Sequence, residues 1–88
     1  MSKDKIILSS LAMDLKRAAL GYHNNSNRMA DRFLQEAMKR KREINVKKIS
    51  PNIKKILGKL DHLINEDNLS KAEDALMYST LFQNAIGQ

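Results

Sequence analysis

"LGYHNNSNR", residues 20 to 28, is the stretch on which the fold turns. Five consecutive polar residues, His23 to Asn27, interrupt a pattern that reads as helix on both sides. Gly21 and the three asparagines argue for a helix C-terminus, a short turn and a new N-cap at Asn25 or Ser26. The spacing argues otherwise. Positions 15, 18, 22, 26, 29, 33 and 37 form one unbroken helical series in which Ser26 takes a buried slot. A single helix over 3–43 would extend about 60 Å and would need a second chain to cover the part that the remaining helices cannot reach. Propensity favours the break, because Gly costs about 1 kcal/mol relative to Ala and each Asn or Ser several tenths.

Outward from this point the pattern is regular. Leu8, Leu11, Leu15, Ala18 and Tyr22, widened by Ile7, Ala12 and Ala19, make one stripe of a first helix from about residue 3 to 22. Met29, Ala30, Phe33, Leu34, Ala37 and Met38 stripe a second, from about 26 to 43, which ends in Lys and Arg as the helix dipole prefers. "INVKKISPN", residues 44 to 52, breaks the pattern, and Ser50-Pro51 has the form of an N-cap followed by a first-turn proline. A third helix then places Ile49, Ile53, Ile56, Leu60 and Leu63 in series, with Leu57 and Ile64 beside them, and ends in "NEDN". Ser70 and Glu73 match a capping box, which starts the fourth helix at Ser70.

That fourth helix differs from the others. From Ala75 to Gln88 it holds no charge, and Leu76, Met77, Tyr78, Leu81, Phe82, Ala85 and Ile86 occupy much of its circumference. A helix of this kind buries more than one side. A bundle this small leaves a strip of it open, and that strip is the expected partner surface. No repeat or sustained strand-like alternation occurs. The expected fold is all-α, a small antiparallel helical bundle forming a single domain over 1–88, with four helices, or three if residues 3–43 are one long helix.

Composition bounds the function. With 88 residues and no cysteine, the chain has no disulfide, thiolate metal site or cysteine nucleophile, and the expected location is the cytoplasm. "IILSSLAM" near the N-terminus is followed by Asp14, Lys16 and Arg17, which fits a helix better than a signal segment, and no apolar run is long enough to span a bilayer. The net charge of +6 is uneven: residues 1–60 hold fifteen Lys/Arg against five Asp/Glu, whereas residues 61–88 hold one Lys against five Asp/Glu. A domain of this size gains from association, so a homo-oligomer or protein partner is expected.

Three constellations carry chemistry. Lys39, Arg40, Lys41, Arg42, Lys47 and Lys48 are candidate nucleic-acid contacts. Four consecutive cations nevertheless point around a helix, and no stacking aromatics accompany them. His62 and Glu66, four apart, would share a helix face as two metal ligands could, but a third ligand is lacking, so no metal or cofactor is expected. Arg17 and His23, with five residues between them, resemble the R-x(4-6)-H element of HEPN-type ribonucleases, which are small helical-bundle proteins. The resemblance covers two residues, with Ala18 where the family usually has a polar one. It implies an Arg that stabilises phosphate charge and a His that transfers a proton, brought together at a dimer interface.

The leading expectation is a non-enzymatic helical module that associates with itself or a protein partner through Leu76, Met77, Tyr78, Leu81 and Phe82, with the helix-one stripe as a further face. The alternatives are a basic nucleic-acid-binding accessory or regulatory protein and, third, a HEPN-like ribonuclease.

Overall fold

Residues 24 to 26 are a turn. In a computed structural model describing residues 3–87, α1 (Lys3–His23) stops there and α2 (Asn27–Glu43) begins. Met1, Ser2 and Gln88, which the sequence reading included in its terminal segments, lie outside the described residues. The Ser26 amide donates to the Gly21 carbonyl at 2.8 Å, the Asn25 amide donates to the Tyr22 carbonyl at 3.3 Å, and Asn25 has φ 62°. This is a Schellman ending, which satisfies two otherwise unpaired helix carbonyls and needs one left-handed residue. Asn tolerates that conformation better than most L-residues. The single helix over 3–43 is therefore excluded.

The preserved spacing has another explanation. The buried residues of α2 are Ala30, Leu34, Ala37 and Met38, while Ser26 and Met29 face solvent. A chain reversal frees the second helix to turn its best apolar face toward the first, and that face lies one position beyond the continued series. Gly21 also has a different role from the one its composition suggested. It stays helical, and a Cβ there would lie 2.8 Å from the Ala30 Cβ and 3.2 Å from its Cα. Its lack of a side chain lets the two helices approach beside the turn.

α1 is the central helix. Antiparallel α2 lies on one side, tied by Tyr22 to Asp31 near the turn and by Asp14 to Arg40 farther away. After a 3-10 segment at Val46–Lys48 and α3 (Pro51–Lys59), a second 3-10 segment (Leu60–Asn65) leads into α4 (Asn68–Ile86). α4 runs antiparallel along the other side of α1: the Ser79 hydroxyl donates to the Ala12 carbonyl at 2.7 Å, and the Lys71 ammonium lies 5.3 Å from the Tyr22 ring centre. The described residues thus form an all-α bundle of four α-helices with no strand.

Local chemistry sets the ends of these elements. The Ser50 Oγ accepts from the Ile53 amide at 3.3 Å, and Pro51 is the first helical residue, as the sequence indicates. The third helix does not remain α-helical to "NEDN". It tightens at Leu60, where Leu57, Leu60 and Leu63 recur every three residues and the three-per-turn geometry keeps them together in the core. α4 starts before Ser70: Asp67 is its N-cap, and the Asp67 Oδ1 accepts from the Ser70 amide at 2.7 Å. Phe82, Leu11, Leu15, Leu60 and Leu63 fill the centre. Ala12, Ala18, Ala19, Ala30, Ala37, Ala72 and Ala75 let the backbones pack closely around them.

Candidate interaction surface

The buried residues of α1, from Ile7 to Tyr22, span about half its circumference at about 100° per residue. The other half is open. Along its middle lie Ile6, Met13 and Leu20, which are 51%, 39% and 52% exposed. Each is seven residues from the next, so they share one line along the helix. Ser9 and Lys16 flank this line on one side, and Ser10 and Arg17 on the other. Toward α4, Leu20 joins Ala19, Ala72, Leu69 and Leu76 in lining an apolar groove, and the Gln83 amide donates to the Met13 sulfur at 3.9 Å. Toward α2, the Arg17 guanidinium lies 5.7 Å from the centre of the Phe33 ring and 3.7 Å from Asp14. Apolar side chains thus line the open side of α1 and continue onto α4, with cations along the margin.

This surface differs from the one read in α4 alone. Leu76, Met77 and Leu81 are exposed, Tyr78 is half-buried, and Phe82 is 0% exposed within the chain's own core. Phe82 therefore supports α4 from inside and is not available to a partner. Leu76 and Met77 point about 100° apart, so the exposed residues lie on two flanks. Leu76 lines the groove beside α1, while Met77 and Leu81 lie away from it. The helix-one stripe is likewise core: Leu8, Leu11, Leu15, Ala18 and Tyr22 are all buried. Ile6, Met13 and Leu20 were the residues missed, and their seven-residue spacing was the available signal.

The basic run is divided by its own ion pairs. The Arg40 Nε donates to the Asp14 Oδ2 at 2.7 Å, and the Lys41 Nζ donates to the Asp61 Oδ1 at 2.9 Å. Hydrogen bonding to Asp14 also holds the Arg40 guanidinium more firmly protonated than usual. Lys39, Arg42, Lys47 and Lys48 remain on the surface, spread over the end of α2 and the following 3-10 segment. The run does not form one flat cationic face.

The remaining polar constellations are not arranged as their sequence spacing suggested. Arg17 turns toward Phe33 on α2, whereas His23 lines the groove toward α4, so one copy does not bring the two together. His62 lies in the 3-10 segment and Glu66 lies beyond its end, which removes the shared α-helical face. Among the described residues no group of three or more His, Cys, Asp or Glu could hold a metal ion. Glu66 instead meets Asp74. Burial first, then its hydrogen bond with Asp74 and the negative charges of Asp74 and Asp67, keep its carboxyl protonated above the usual glutamate range. Its Oε2 is buried without a hydrogen-bond partner. Burial, followed by the charges of Asp74 and Glu66, raises the Tyr78 phenol.

No helix among the described residues is long and apolar enough to cross a membrane. No protein-family model, curated protein or solved structure matches the chain.

Proposed function

We propose that this chain is a non-enzymatic helical association module that works through the open side of α1 and the adjoining flank of α4. The observation that carries this reading is the alignment of Ile6, Met13 and Leu20 beside the groove containing Leu69 and Leu76. Apolar residues scattered singly over a surface are ordinary, but residues gathered along one side of a helix and its neighbour make a docking face. Arg17 and the Asp14–Arg40 pair border this face and give it a polar rim of the kind that surrounds apolar interface centres. Association is preferred to nucleic-acid binding because Arg40 and Lys41 are engaged with carboxylates of the same chain.

The test pairs a mass measurement across concentration with binding of an apolar dye. The wild-type chain is expected to associate or to bind the dye, and the Leu20→Lys/Leu76→Lys variant to lose both while keeping its helix content. A wild-type chain that stays monomeric and binds no dye overturns the reading.

A further inference from the structure

The open side of α1 is self-complementary, and from this we infer that its occupant is a second copy of the same chain, docked antiparallel about a two-fold axis through Met13. The inference rests on the association reading above and adds its partner and geometry. Ile6 and Leu20 lie seven residues to either side of Met13, so a two-fold axis there sets Met13 against Met13 and Ile6 against the second copy's Leu20. A line that repeats every seven residues drifts about 20° per heptad around a straight helix, and two helices absorb that drift by crossing at a shallow angle.

Charge selects this orientation over the parallel one. In the antiparallel pairing the two flanks keep their sides, so Lys16 meets the second copy's Ser9, and Arg17 meets its Ser10. The cations therefore lie against small neutral hydroxyls. A parallel pairing exchanges the flanks and sets Lys16 against the second copy's Arg17, a like-charge contact repeated twice by symmetry. Arg40, the next cation toward α2, already has the Asp14 carboxylate at 2.7 Å and brings no uncompensated charge to the contact. The available area also suits a dimer. The principal extents are 36 × 21 × 20 Å, so a long side presents at most about 750 Å² in projection, and an interface of the standard size, roughly 800 Å² of accessible surface per partner, takes up the whole of that side.

The absence of cysteine makes this geometry directly testable. Helix axes 8–10 Å apart, with Cα atoms about 2.3 Å from each axis, put facing Cα atoms about 3.5–5.5 Å apart, close enough in the upper part of that range for a disulfide. The wild-type chain should sediment at twice its monomer mass. Under mild oxidation Met13→Cys should cross-link to itself, whereas Ile6→Cys should cross-link to Leu20→Cys in a mixture and not to itself, because antiparallel pairing holds the two Ile6 positions about 21 Å apart. Self-cross-linking of Ile6→Cys means a parallel pair and overturns the inference. A dimer with no cross-link at any of the three positions uses another face and overturns it as well, while leaving self-association intact. A monomer that binds the apolar dye overturns the second copy as occupant but keeps the docking face. A monomer without dye binding removes both readings.

Discussion

α1 packs against both α2 and α4 through small and apolar residues, but the polar contacts added to the two seams differ. The α2 seam is fixed by polar side-chain pairs, Asp14 with Arg40 and Tyr22 with Asp31, and by Arg17 lying over Phe33. Burial, then the hydrogen bond to Asp31 and its negative charge, raises the Tyr22 phenol far above its ordinary pKa. The α4 seam has one buried hydrogen bond, from Ser79 to the Ala12 carbonyl, with Lys71 over the Tyr22 ring and Gln83 against Met13 nearer the surface, and its centre is the fit of Phe82 and small residues. Charge pairs allow few registers and so specify alignment. Packing contributes more energy per residue and leaves apolar side chains at its margin, which is where Leu20 and Leu76 lie exposed.

Three measurements press on this contrast. The largest effect should come from Phe82→Ala on the packed seam, which removes a ring that is 0% exposed and should cost about 3–5 kcal/mol in urea denaturation. Asp14→Ala on the polar seam should cost less, about 2 kcal/mol, because it deletes charge-assisted bonding to an Arg40 that solvent partly reaches. If Asp14→Ala proved the more costly, the contrast between the seams would be reversed.

The smallest effect is one of slope. The folded Glu66 carboxyl holds its proton above the ordinary glutamate value of about 4.3, so between that value and its own raised one the unfolded chain ionises first. Stability from this group is therefore highest below the ordinary value and falls as pH rises until the folded carboxyl has ionised. Asp67 acts in the opposite sense: its bonds to Ser70 hold its pKa low, so its contribution is present above the ordinary aspartate range and is lost as pH falls through the folded value. Removing the Glu66 component should make the urea midpoint of Glu66→Gln, relative to that of the wild-type chain, increase as pH rises from acid to neutral. Equal slopes would show that Glu66 is not the source.

Much of this architecture was legible in the residues. The α1 core stripe is visible because its positions alternate by three and four, and Ser50-Pro51 marks a boundary because a Ser N-cap satisfies one exposed helix amide and a first-turn Pro removes another. The stripe of α2 was legible too, since Ala30, Leu34, Ala37 and Met38 are all buried; what misled was the series continued through the turn, because helical spacing can persist by chance and here it ran through exposed Ser26 and Met29. From the sequence the N-cap of α4 reads three residues late, at Ser70, because Ser70 with Glu73 has capping spacing; Asp67 with Ser70 has it too, and only the amide partner distinguishes them. On α4 itself, apolar residues all round gave no sign that Phe82 points inward while Leu76 and Met77 lie on separate flanks. That distinction depends on where α1 runs, which is a tertiary fact.

The two seams also differ in how much chain each must close. Asp14 and Arg40 are 26 residues apart, whereas Ala12 and Ser79 are 67 apart. On loop-closure entropy alone the longer connection costs about 0.8 kcal/mol more. The Schellman turn lowers the cost of the first closure further by reversing the chain with its own backbone hydrogen bonds satisfied. By closure entropy the α1–α2 corner is thus the less costly of the two contacts to make from the unfolded chain, and the α1–α4 contact the more costly.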